Sequence, residues 1–106
     1  MKAFELSSTL TRVVKLTFHK TESGTFQKIF SESKDKIRNS EGCLYLELFQ
    51  DKNKPEVFFT YSQWLSEKHL ESYRKSQLFR ETWEKTKVLF AEKAEAWTLH
   101  SLTRVP

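Results

Sequence analysis

Apolar side chains fall on alternate positions across residues 12–19. Val14, Leu16 and Phe18 share one face, while Lys15 and Thr17 point away. A period of two predicts a half-buried strand. Thr21-Glu22-Ser23-Gly24 reads as a turn carrying helix-capping residues. Beyond it, Phe26, Ile29, Phe30 and Ile37 recur at helical spacing, with Lys28, Glu32, Lys34, Asp35 and Lys36 mostly opposite. That spacing predicts an amphipathic helix over 23–40, stopped at Gly42 by the residue type that tolerates positive φ.

Residues 43–50 alternate again, with Leu44, Leu46 and Leu48 on one face and Tyr45, Glu47 and Phe49 on the other. The polar turn at 51–55 leads into the aromatic, β-prone run 57–64, and together these predict a hairpin. Ser66 is placed to cap a short helix, with Leu65 and Leu70 spaced as a hydrophobic staple. Ser76 is placed to cap a further helix, in which Phe79, Trp83 and Phe90 repeat. Residues 95–102 put Trp97 and Leu99 on one face and predict a fourth strand. The polar stretch 1–11 reads as an N-terminal arm.

The order strand, helix, strand, strand, broken helix, strand is the split β-α-β pattern of the ferredoxin-like fold. It predicts an α+β domain over 1–106 with a four-stranded antiparallel sheet and its helices on one face. Val14, Leu16 and Phe18 would then bury against Phe26, Ile29, Phe30 and Phe90. The other face would carry Tyr45, Phe49 and an aromatic from the third strand, which predicts a homodimer through stacked sheets.

Composition narrows the function classes. The chain has 106 residues, enough for one domain. Its three Trp, three Tyr and nine Phe leave aromatic surface over for a pocket or interface. Cys43 is the single cysteine, so no intramolecular disulfide forms, and no Cys/His spacing suggests a metal site. A cytoplasmic location is the expectation, with no signal-peptide-like run and no apolar stretch of membrane-spanning length. The net charge of +4 comes from interspersed Lys, Arg, Glu and Asp, a solvated surface rather than a nucleic-acid stripe. Two glycines provide no phosphate-cradling loop, and no Gly-x-Ser-x-Gly elbow occurs. Glu92 and Glu95 read as a helix-end and strand-edge pair of charges rather than a catalytic dyad.

Three features in order carry a family resemblance: Glu41-Gly42-Cys43-Leu44, a hairpin ending in Trp64, and the helical segment Ser72-Tyr73-Arg74-Lys75-Ser76-Gln77-Leu78-Phe79. Across residues 11–99 the chain resembles the antibiotic biosynthesis monooxygenase family. The resemblance implies a dimeric α+β barrel with a hydrophobic pocket between sheet and helices in each subunit. Among such proteins, some oxygenate aromatic polyketides or quinols with dioxygen and neither metal nor flavin. Others degrade haem or isomerise small signalling molecules, so the fold leaves the reaction open. This chain departs from the family pattern at two places. Many relatives have a histidine where Tyr73 stands, and an acidic residue is frequent where Ser62 stands. The haem-degrading constellation of asparagine, tryptophan and histidine meets about Thr17, Tyr73 and Trp83 here, which argues against that chemistry.

The candidate catalytic residues are Tyr73 and His69. The Tyr73 phenol can hydrogen-bond a substrate oxygen from the pocket wall, or its ring can simply pack beside Leu70. His69 offers an imidazole base one helical turn earlier, or a solvated side chain among Glu67, Lys68 and Glu71. Phe30, Trp64, Phe79 and Trp83 are the candidate pocket walls, although Trp64 reads first as a structural core residue. His19 and His100 have no partner for metal binding. Cys43 reads as a small buried hydrophobe. The expected function is cofactor-independent monooxygenation of a small hydrophobic aromatic or quinol-type molecule. A non-catalytic binding dimer and an isomerase-type protein are the alternatives.

Overall fold

The computed structural model describes residues 9–106, and in it four strands form one antiparallel sheet in the order β2-β3-β1-β4. Strand β1 (Leu10–Thr17) is followed by a 3-10 turn at Lys20–Glu22 and helix α1 (Ser23–Arg38). The hairpin β2 (Cys43–Gln50) and β3 (Val57–Trp64) comes next, then α2 (Glu67–Arg74), α3 (Gln77–Lys87) and β4 (Glu95–Leu99). This is the α+β arrangement the alternation predicted, and β1 sits centrally between β3 and β4.

Each helix boundary has a local cause. Ser66 accepts a hydrogen bond from the His69 amide, and Ser76 from the Phe79 amide, so both short helices are N-capped. Helix α1 starts without a side-chain cap and is entered through the 3-10 turn, where Glu22 N–H donates to the His19 carbonyl at 2.8 Å. After α1 the chain reverses through Gly42, whose φ of 83° suits a residue without Cβ. A Cβ there would also collide with the ring and Cβ of His69.

The core lies between α1 and the inner face of the sheet. Leu16, Phe18, Phe26 and Phe58 are buried together, with Val14, Phe30, Leu48 and Phe90 packed around them. The Phe18 and Phe26 rings stack at 4.4 Å, and Phe58 meets Phe26 edge-on at 5.1 Å. A buried Phe of this kind contributes about 2–3 kcal/mol through apolar burial. A second cluster joins Cys43, Trp64 and Leu70, with Tyr73 against it.

Five expectations are corrected. Strand β1 already includes Leu10 and Thr11, so the arm predicted over 1–11 is strand at its end; residues 1–8 lie outside the described residues. A β-bulge at the start of β2 pairs Cys43 with Trp64 and Tyr45 with Gln63, leaving Leu44 as the extra residue. Cys43 therefore turns inward and Leu44 is exposed, apart from Leu46 and Leu48. Ile29 lines the groove between α1 and α3 with Leu78 instead of joining the Phe18 cluster. Leu70 is buried while Leu65 is exposed, so the expected staple buries only one of its members. Strand β4 ends at Leu99, short of the predicted residue 102.

Candidate functional site

Between the inner face of the sheet and the helices lies a cavity of about 360 Å³. Sequence explains why space is left there. On the cavity side β4 presents Ala96, preceded by Ala94, and these small side chains do not reach the helices. Helix α3 meanwhile packs against α1 and α2. The volume is at the lower end of the range of about 300–1,000 Å³ typical of small-molecule sites.

The walls are aromatic and connected ring to ring. Trp64 stacks on Tyr73 at 4.9 Å, and Tyr73 meets Phe79 edge-on at 5.3 Å. Phe79 lies nearly parallel to Trp83 at 5.8 Å, and Trp83 meets Phe90 at 5.5 Å. Phe26 and Phe30 supply the wall from α1. Offset-parallel and edge-on pairs at these distances rigidify one another, which keeps the cavity shape defined without a ligand.

Strand register gives the cavity a direction. On β1 the inward residues are Arg12, Val14 and Leu16, and opposite them on β3 stand Ser62, Thr60 and Phe58. One end is therefore polar and the other is lined mainly by apolar side chains. Arg12 Nη1 donates to Thr98 Oγ1 at 2.6 Å, and the Trp64 indole N–H donates to Ser62 Oγ at 2.9 Å. Arg74, at the end of α2, also borders the polar end and holds Glu71 at 3.2 Å.

Of the residues expected from sequence, Tyr73, Phe30, Trp64, Phe79 and Trp83 all line this cavity. The Tyr73 hydroxyl has no hydrogen-bond partner among the described residues. Since no buried polar side-chain atom is left unpaired, that hydroxyl must keep contact with open space. Burial pushes the Tyr73 phenol well above its ordinary value, and the neighbouring Cys43 thiol adds to the shift. The phenol is thus a hydrogen-bond donor at neutral pH and not a base. His69 lies elsewhere: its ring packs on Gly42, with Nδ1 2.7 Å from Ser66 Oγ, and it does not border the cavity. Four residues along a helix advance the chain by more than a full turn, and at the start of α2 that turn faces the β2 entry instead of the ligand space. Cys43 is buried, and burial raises its thiol above the usual range, as an inert core cysteine requires.

The polar residues Arg12, Arg74 and Ser62 were not anticipated as a group. Arg12 had a readable signal, since a period of two puts it on the same face as Val14, Leu16 and Phe18. Among the described residues that line the cavity there is no His, Asp, Glu, Lys or Cys. Among the described residues no three His, Cys, Asp or Glu gather in metal-binding geometry, and no helix is long and apolar enough to cross a membrane.

Residues 9–85 match the family model described as antibiotic biosynthesis monooxygenase. No curated protein sequence matches the chain. Among solved structures, a conserved protein from Methanosarcina mazei Go1 superposes with a TM-score of 0.88 at 17% identity, over 93% of this chain and 98% of that one. A protein named antibiotic biosynthesis monooxygenase superposes with a TM-score of 0.84 at 15% identity, over 89% and 99%. PA3566 from Pseudomonas aeruginosa gives 0.82 at 20% identity, over 92% and 98%. At these identities the likeness is one of fold.

Proposed function

We propose, since this chain belongs to the antibiotic biosynthesis monooxygenase family, that its cavity takes a small planar hydrophobic molecule of the phenol or quinol type, which dioxygen oxidises there. The observation that carries the reading is the cavity of about 360 Å³ walled by stacked rings and bordered by a phenol, Tyr73, with a free hydroxyl.

The chemistry fits a site that supplies shape and dryness more than reactive groups. In the keto tautomer of such a phenol, as in anthrone, a methylene flanked by aromatic rings loses a proton to water and becomes a delocalised anion. The anion passes one electron to dioxygen, and the resulting radical and superoxide join through a new C–O bond. The peroxide is protonated, and loss of the remaining C–H proton with hydroxide leaves a ketone. Overall, CH₂ and O₂ become C=O and H₂O. The substrate provides every electron, so the balance requires neither metal nor flavin. Tyr73 donates a hydrogen bond to the substrate oxygen on which the anion's charge gathers, and the apolar walls keep water from the radical pair. Because no described lining residue is a base, the reading selects substrates acidic enough to ionise readily.

That same absence of a lining base favours one second reading, a non-catalytic dimer that holds the same class of ligand. It disfavours an isomerase, which has to move protons between substrate carbons. The reading also includes a second copy of the chain, stacked through the outer sheet face.

Oxygen uptake by the purified, metal-free protein against hydroquinones and anthrone-like phenols tests the proposal. Protein-dependent uptake that falls about tenfold or more in Tyr73→Phe is expected, the loss of one charge-stabilising donor. Ligand binding without uptake across the panel would replace it with the binding reading.

A further inference from the structure

The aromatic cavity has two guanidinium groups at one end and, among the described residues, no carboxylate of its own. Arg12 comes from the inner face of β1 and Arg74 from the last turn of α2, and both border the same space. Among the described residues they are the only charged ones that line it. Arg74 is paired with Glu71, an exposed i,i+3 contact. Arg12 has no acidic partner within ion-pair distance among the described residues. Among the described residues its one side-chain hydrogen bond goes to the neutral Thr98 hydroxyl. Counting Arg12, Arg74 and Glu71, this end carries one positive charge in excess.

We propose that the ligand is a planar aromatic monocarboxylate, its carboxylate held between Arg12 and Arg74 and its ring system lying toward Leu16, Phe26 and Phe30. The inference rests on the reading of the cavity as a ligand site and names the class of molecule it takes.

Three physical points lead there. A guanidinium offers five N–H donors in a planar fork that matches a carboxylate. The bond to Thr98 fixes the orientation of the Arg12 fork and leaves most of those donors unused. Ser62, which faces Arg12 across the β1–β3 pair, has its oxygen occupied by the Trp64 indole; its own O–H remains to be donated. Second, a neutral ligand closing this end would strip water from Arg12 and return nothing, a costly burial of charge. A single negative charge cancels the excess, whereas a dianion would overshoot it. Third, Arg12 and Leu16 are four residues apart on one strand, about 13 Å. That length accommodates a carboxylate at one end and fused rings at the other. Consistent with a cation already short of solvent, Arg12 is pushed below the usual guanidinium range, first by burial and then by Arg74, with Glu71 opposing.

The test is calorimetric titration at low salt with 2-naphthoate and with 2-naphthamide, its neutral counterpart of the same shape. The naphthoate binds about tenfold tighter or better, and the advantage shrinks with added salt. Arg12→Gln and Arg74→Gln each weaken naphthoate by roughly five- to tenfold while leaving naphthamide within about twofold. Arg74 is exposed at a helix end, so its variant folds even if Arg12→Gln does not. Circular dichroism checks both. Equal affinity for the two probes would overturn the anion site and leave the aromatic cavity standing as a ligand site. Failure of both probes to bind would overturn the anion site and the ligand cavity together.

Discussion

The two faces of the one sheet are built from the same kinds of residue and meet different fates. Phe18, Phe58 and Trp64 point inward and are each 1% exposed. Tyr45, Phe49, Trp97 and Leu99 point outward and are 43–48% exposed, although Tyr61 stands at 5.8 Å from Tyr45 and 6.4 Å from Phe49 as in a packed core. What separates the faces is cover. Three helices close the inner one and leave a gap of about 360 Å³; no described element closes the outer one. Apolar side chains in a contiguous outward patch are stabilised by being covered, and a second sheet of the same shape does this most simply. The inner gap, by contrast, is too small for a protein element and suited to a small molecule.

Neighbouring residues on β3 give the sharpest test of this difference, and the largest expected effect. Phe58 points inward and Phe59 outward. Phe58→Ala is expected to cost about 3–5 kcal/mol in urea denaturation, the price of a large core cavity. Phe59→Ala is expected to cost the isolated protomer less than about 1.5 kcal/mol. Comparable losses would mean the two faces are equally part of the protomer's core.

On the outer face, Trp97→Glu places a charge where Val13 and Trp97 pair across the strands. It is expected to weaken self-association by about 2 kcal/mol or more while leaving the thermal midpoint of the protomer nearly unchanged. Light scattering across micromolar concentrations checks this. A wild-type mass of 12.6 kDa would remove the second copy from the account.

Inside the cavity the effect is smaller and set by pH. The Tyr73 phenol is raised above its ordinary value of 10.0 by burial. Folded protein therefore keeps this proton at pH values where the unfolded chain has lost it. Below pH 10 both states hold the proton and stability does not vary with it. As pH climbs past 10 the unfolded state binds fewer protons, so stability falls. Tyr73→Phe is expected to flatten part of this alkaline loss; Tyr45, also raised through its bond to Glu47, leaves the remainder. Identical alkaline slopes would mean that the Tyr73 hydroxyl is solvated in the folded protein.

The same contrast shows how far the sequence could be read. Alternation with period two located β1, β2 and β4, an aromatic β-prone run after a polar turn located β3, and the capping serines Ser66 and Ser76 located both short helices, because these are local signals. The aromatic walls were legible as well, since Phe79 and Trp83 follow the helix break that the family resemblance places beside the pocket. The bulge at Leu44 was not, because it depends on how β2 registers against β3 and leaves no mark in the alternation around it. His69 showed the limit of helical spacing: sharing a side with Tyr73 did not place it in the cavity, since Gly42 receives its ring. The grouping of Arg12, Ser62 and Arg74 joins three separate elements, and only the fold brings it about.

One measurement tests the central claim most directly. Metal-free protein turns over anthrone under ¹⁸O₂, and labelled ketone is counted above the spontaneous background, alongside Ala96→Phe, which fills the cavity from β4 and leaves the outer face untouched. The account predicts one labelled oxygen per product molecule, formed in the presence of wild-type protein and lost when the cavity is filled. Labelled product formed as fast by the filled variant would place the chemistry outside the cavity and contradict the account.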